Sequence, residues 1–185
     1  MNILIFNGSL ESQSNTTPTR IARAFTNHLE QRGATVTTFH LSEAGIPLFD
    51  FSFEETPSSV VDMVSTFRAA DMHIWLTPLY HGSMTGAMKN CLDWLEISAR
   101  EEVPYLTNKI IGLVCWADGA QAMQGINAMD AVAKALRAWV LPYSIPIVRG
   151  NLFVADNQEM SPDYLEKIEL MSTLLSDRLP SNFTV

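Results

Sequence analysis

Basic residues are scarce in this chain: 12 Lys and Arg stand against 20 Asp and Glu among 185 residues, a formal net charge of −8 at pH 7. No basic stripe gathers them, so nucleic acid and anionic membrane surfaces are poor partners for such a field. Acidity does not preclude a phosphate ligand, which backbone N–H groups and hydroxyls can hold. Cysteine is scarcer still. Cys91 and Cys115 show no metal or redox spacing and fall on apolar patterns, which reads as core thiol and leaves too few ligands for an iron–sulfur centre. No apolar run is long enough to span a bilayer, and no charged leader precedes the first apolar segment. The sequence therefore predicts neither secretion nor membrane insertion but a cytoplasmic location, where the sequons at Asn15 and Asn182 go unused. Internal repeats and low-complexity tracts are lacking. So are Gly-x-Gly-x-x-Gly, the P-loop Gly-Lys-Ser/Thr and the nucleophile elbow Gly-x-Ser-x-Gly. His28, His40 and His73 have no metal spacing; His73, on a buried strand, is expected to be a hydrogen-bonded core residue.

What is present is ordinary globular composition, 47% hydrophobic and 17% charged. A chain of this length forms one domain over residues 1–185 and buries roughly 70% of its unfolded surface. Strand-like and helix-like segments alternate. Ile3 to Phe6, Thr35 to Phe39, Met72 to Leu76, Lys109 to Trp116 and Ser144 to Val148 are short apolar or β-branched runs. Between them, Ile21, Phe25 and Leu29 line a helix opened by Thr17-Pro18 and closed by Gly33. Val60, Val64 and Phe67 mark a second, behind Thr56-Pro57. Met88, Cys91, Leu92 and Leu95 mark a third, and Ile126, Met129, Ala133, Leu136 and Val140 a fourth. Leu165, Ile168 and Leu175 face a last helix opened by Ser161-Pro162. Five strands separated by helices imply an α/β protein with a parallel sheet covered on both faces. Periodicity alone does not give the strand order.

Two loops carry the functional signal. After strand 1 the chain reads Asn7-Gly8-Ser9-Leu10, then a Ser/Thr/Asn run from Ser12 to Thr17. Hydroxyls at Ser9, Ser14 and Thr16, Asn15, and N–H groups at the start of a helix suit a phosphate monoester. The same run suits a plain capping loop. After strand 3 comes Pro78-Leu79-Tyr80-His81-Gly82-Ser83 and a helix containing Lys89-Asn90 and Asp93-Trp94. Such a turn offers backbone N–H groups and an aromatic face to a flat, polar-edged ligand.

Together these motifs resemble the NADPH-dependent FMN reductase family of flavodoxin-like proteins, over roughly residues 2 to 149. Gly45 to Asp50 and the turn Trp116-Ala117-Asp118-Gly119-Ala120 are weaker matches. The resemblance implies a flavodoxin-like three-layer α/β/α sandwich with a five-stranded parallel sheet of order 2-1-3-4-5. It implies FMN, with Ser9, Ser14, Asn15 and Thr16 at its phosphate. Pro78, Leu79, Tyr80, His81, Gly82 and Ser83 would hold the ring, the four N–H groups from Tyr80 to Ser83 at its pyrimidine edge, and Asp118 and Gly119 would close the far side. NADPH or NADH would donate hydride, to be passed to free flavin, a quinone or another small acceptor, with no side-chain catalyst required. The family pairs the helix after strand 3 in a homodimer, or a tetramer, and Trp94 and the methionines on an otherwise polar face suit an interface. Glu11 departs from the pattern, since the family often has arginine just after Gly-Ser-Leu. Asp118 also departs: it either caps the fourth helix or stands at the pocket, where it disfavours anionic flavin. Two rival readings follow: a flavodoxin-type electron carrier without NAD(P)H activity, and a cofactor-free interaction module.

Overall fold

The computed structural model describes residues 1–11, 13–154 and 159–177. Ser12 and the Asn182-Phe183-Thr184 sequon lie outside the described residues. Five parallel strands, β1 (Asn2–Asn7), β2 (Thr35–His40), β3 (Met72–Pro78), β4 (Ile110–Ala117) and β5 (Trp139–Val148), form one sheet of order β2-β1-β3-β4-β5. The helices are α1 (Thr17–Gln31), α2 (Ser58–Ala69), α3 (Gly86–Asp93), α4 (Ala122–Ala135) and α5 (Pro162–Ser176). The three-layer flavodoxin-like class and strand order expected from the resemblance are those observed.

The central strands β1, β3 and β4 are buried on both faces, which is why they read as unbroken apolar runs. Ile3, Ile5, Ile74, Leu76 and Val114 pack with α1 and α5 on one side of the sheet. Leu4, Phe6, Trp75, Leu113 and Cys115 pack with α2, α3 and α4 on the other. Strand order reverses between β1 and β3, so the loops leaving their carboxyl ends diverge and open a crevice there.

Three expectations need correction. Strand 5 begins at Trp139, not Ser144, so Val140 belongs to β5, while Leu136 is the C-cap of α4. A register shift opposite Ile111 and Leu113 absorbs Pro142 in the edge strand, and Arg137, at φ 64°, turns the chain out of α4. On α5 the buried face is Tyr164, Ile168, Met171, Ser172 and Leu175, with Leu165 outside it. Trp94 and Met88 do not stand on a polar face: both are buried, and the Trp94 indole N–H donates to the Pro47 carbonyl at 2.9 Å.

His73 is buried as expected, yet neither ring nitrogen has a hydrogen-bond partner among the described residues; its ring lies edge-on to Phe67 at 5.9 Å. Burial drives its pKa down to about 3; the Phe67 backbone opposes this in part, and the Lys109 charge adds a smaller push downward. Cys91 and Cys115 are buried thiols, pushed up to about 12 by desolvation, and are therefore inert.

Candidate functional site

The first loop is built on Asn7, which is fully buried at the end of β1. Its Oδ1 accepts the Ser9 N–H at 3.0 Å, and the Gly8 N–H extends the ladder to the Leu76 carbonyl at 2.8 Å. Gly8 is required by close approach: a Cβ there would sit 2.6 Å from the Met88 sulfur on α3. Ser9 is buried, and its Oγ accepts the Glu11 N–H at 3.1 Å, so its own O–H proton remains to be donated. Further on, the Thr16 hydroxyl donates to the Gln13 carbonyl at 3.0 Å. Ser14 and Asn15 are exposed, Asn15 at φ 74°, and their N–H groups have no acceptor among the described residues. The loop thus ends in free donors at the start of α1, where the helix dipole is positive.

The second loop is more constrained than the sequence suggests. Leu79 continues toward β4, its N–H on the Trp116 carbonyl at 2.8 Å. Tyr80 and Ser83 then exchange both backbone hydrogen bonds, at 3.0 and 3.1 Å, across a two-residue turn with His81 at φ 48° and Gly82 at φ 83°. Positive φ at both positions is type I′ geometry. Of the four N–H groups expected to face a ligand, Tyr80 and Ser83 are therefore spent on each other, leaving His81 and Gly82. The Tyr80 ring is exposed.

Thr85 ties the two loops together. It is the N-cap of α3, its Oγ1 accepting the Met88 N–H at 3.0 Å. The same hydroxyl donates to the Gly8 carbonyl at 2.7 Å, and the Thr85 N–H donates to Thr77 Oγ1 at 3.3 Å. A threonine just before an amphipathic run is a cap signature; its bond to a loop far away in sequence had no signal.

Between the loops lies a cleft of about 340 Å³. Ser9, Leu10 and Glu11 line it together with Pro78, Tyr80, Trp116 and Arg149. The start of α3, Thr85 to Ala87, lines it as well, and a Cβ on Gly86 would meet nothing within 4 Å. On the outer side of the first loop, Leu10, Glu11, Gln13 and Asn15 to Thr17 surround a more open hollow of about 530 Å³. The structure thus places Ser9, Pro78 and Tyr80 on the cleft, and Asn15 and Thr16 on the hollow, with Ser14 beside them. His81, Gly82 and Ser83 are on the neighbouring turn, and Leu79 packs toward Gly125 of α4.

Asp118 and Gly119 follow β4 and line neither space. Asp118 is not a helix cap, for α4 opens on Gln121. It pairs instead with Arg149, Oδ1 to Nε at 2.8 Å. Arg149 escaped the sequence reading because nothing local links the end of β5 to the loop after β1. Among the described residues there is no cluster of His, Cys, Asp and Glu fit for a metal, and no helix long and apolar enough to cross a membrane.

Residues 1–152 match the model of the NADPH-dependent FMN reductase family. The NADPH-dependent FMN reductase ArsH of Acidithiobacillus ferrooxidans is 27% identical over 159 residues, 83% of this chain; the match spans only 65% of that protein's length. An FMN-dependent NADPH-azoreductase of Staphylococcus aureus is 29% identical over 150 residues, 78% of this chain and 76% of that one. Among solved structures, FerB of Paracoccus denitrificans, a flavoenzyme NAD(P)H:(acceptor) oxidoreductase, shares the fold with a TM-score of 0.76 at 15% identity, over 95% of each chain.

Proposed function

Because the chain belongs to the NADPH-dependent FMN reductase family, we propose that it holds FMN between the two loops and uses NAD(P)H to reduce a small acceptor. Free flavin, quinones and azo compounds are the acceptor class. The observation that carries this reading is the Thr85 clamp, which fixes both loops at the switch point while leaving a cleft of about 340 Å³ between them.

The residues present fit the group. Flavin mononucleotide needs hydrogen-bond donors for its phosphate and ring edge, and an apolar or aromatic surface for its ring. The Ser9 hydroxyl and the unused N–H groups of Ser14 and Asn15 supply the first, with Thr16 alongside. The free N–H groups of His81 and Gly82 supply the second, and Pro78 and Tyr80 the third, with Leu79 turned toward α4. Bound FMN would supply the hydride chemistry that no side chain here provides. The chain's own residues bind, orient and limit water; none is asked to act as a base. Asp118, already paired with Arg149, and Gly119 stand outside the cleft lining and are given no part in holding the ring. A cytoplasmic homodimer or tetramer is part of the same proposal; association is supported by the large apolar side chains of Leu48, Phe51 and Phe53, left exposed on the loop that packs on Trp94.

The test is direct. The purified chain is expected to take up FMN stoichiometrically, with flavin absorbance at roughly 450 nm, and to consume NAD(P)H when a quinone or free flavin is added. Absence of flavin uptake ends the proposal. The net charge of −8 suits a flavodoxin-type carrier as well; a flavin that stays oxidised when mixed with NADPH or NADH in stopped flow would favour that reading.

A further inference from the structure

Charge is sparse in the cleft and unevenly distributed. Glu11 is the anionic side chain that lines it and Arg149 the cationic one. A phosphate ester lodged beside Ser9 would face the Glu11 carboxylate, and neutral donors alone would have to offset that repulsion. Arg149 lines the same cleft and is the cationic group there able to do so. Its backbone is fixed from both sides: the Tyr164 hydroxyl of α5 accepts the Val148 N–H at 2.9 Å, and the buried Leu152 donates its N–H to the Arg149 carbonyl at 3.2 Å. Its side chain uses only Nε, on Asp118 Oδ1 at 2.8 Å. The two Nη groups have no protein partner among the described residues. The side chains of this pair are 53% and 81% exposed, so water screens the attraction and the pair is weak. A phosphate offers the guanidinium fork two charge-assisted hydrogen bonds, against the single exposed ion-pair contact with Asp118.

We propose that Arg149 is the phosphate-reading residue of this cleft, and that Asp118 is the resident carboxylate from which a phosphate ester draws it. The inference rests on the function proposed above and adds to it the source of positive charge that the Ser/Thr/Asn loop lacks. Two phosphates could be the one read: that of FMN, which the presence of Ser9 and Arg149 in the same cleft favours, and the 2′-phosphate that distinguishes NADPH from NADH.

Flavin titrations of the full chain separate these, with FMN and riboflavin as paired probes and fluorescence quenching as readout. In Arg149→Gln the affinity for FMN is expected to fall by about tenfold or more while that for riboflavin holds, the loss of one charge-assisted contact. Asp118→Asn is expected to tighten FMN several-fold by removing the competitor, and Arg149→Lys to recover part of the loss. If the FMN-to-riboflavin ratio is unmoved but the KM for NADPH rises relative to that for NADH, the donor's phosphate is the one read. If neither ratio moves in a folded, flavin-binding Arg149→Gln chain, the inference is overturned and the functional proposal stands. If the unsubstituted chain binds no flavin, both fall.

Discussion

Thr85 does three jobs with a few atoms, and each can be separated by substitution. Its hydroxyl caps α3 and holds the Gly8 carbonyl, while its N–H holds Thr77. Thr85→Val keeps the shape and removes both hydroxyl bonds, leaving a buried carbonyl and a helix N–H unpaired. We expect a loss of roughly 1–2 kcal/mol in chemical denaturation and weaker FMN binding, with Thr85→Ser recovering most of both. Unaltered flavin affinity in a destabilised Thr85→Val chain would mean that the clamp serves stability alone. His73 presents the opposite case, a polar residue without partners. Its pKa is about 3 folded against an ordinary 6.5, so as pH falls the unfolded chain takes up the proton first. Stability is fully present above about pH 6.5 and declines toward pH 3, by up to about 1.4 kcal/mol per pH unit from this group. His73→Leu is expected to flatten that acid limb and to stabilise the protein more at pH 5 than at pH 8. A parallel downward shift at both pH values would contradict this account.

At the level of elements, legibility followed burial. The central strands announce themselves because both faces are apolar, and α1 and α2 because proline and threonine punctuate their starts. The first half of β5 was hidden because it is an edge: Trp139 is exposed, Pro142 interrupts it, and Val140 falls in phase with the helix before it. The ligand loops were legible by residue type and position but not by conformation. Gly82 suggests a turn, whereas the type I′ geometry that occupies the Tyr80 and Ser83 N–H groups depends on His81 adopting positive φ as well. Thr85 and Arg149 belong to neither local pattern: one reaches Gly8 and the other shares a cleft with Glu11 only because the sheet brings the carboxyl ends of β1, β3, β4 and β5 to one edge. Trp94 misled for a related reason. On α3 alone it looks like an interface residue, but the loop after β2 folds over it, with Phe49 at 5.1 Å and Phe53 at 5.8 Å.

That covering loop moves the question of assembly from the helix to the segment lying on it. Phe49 donates its N–H to Asn90 Oδ1 at 2.7 Å, and Asn90 Nδ2 and the Trp94 indole both donate to the Pro47 carbonyl, so the segment is fastened to α3 at several points. Its outer side chains are nonetheless in water: Leu48 is 82% exposed, Phe51 70% and Phe53 45%. A fastened loop displaying three large apolar side chains cannot collapse to hide them, and such patches mark interaction surfaces. A second copy of the chain is the occupant that the proposed homodimer requires. Phe51→Asp places a charge in the middle of the patch without touching the Asn90 or Trp94 bonds, so the fold should survive. We expect the unsubstituted chain to sediment as a dimer or larger at micromolar concentration, and Phe51→Asp to shift it toward monomer with unchanged far-UV circular dichroism. A chain that is already monomeric before substitution, or a Phe51→Asp chain that stays associated, would remove this loop from the interface.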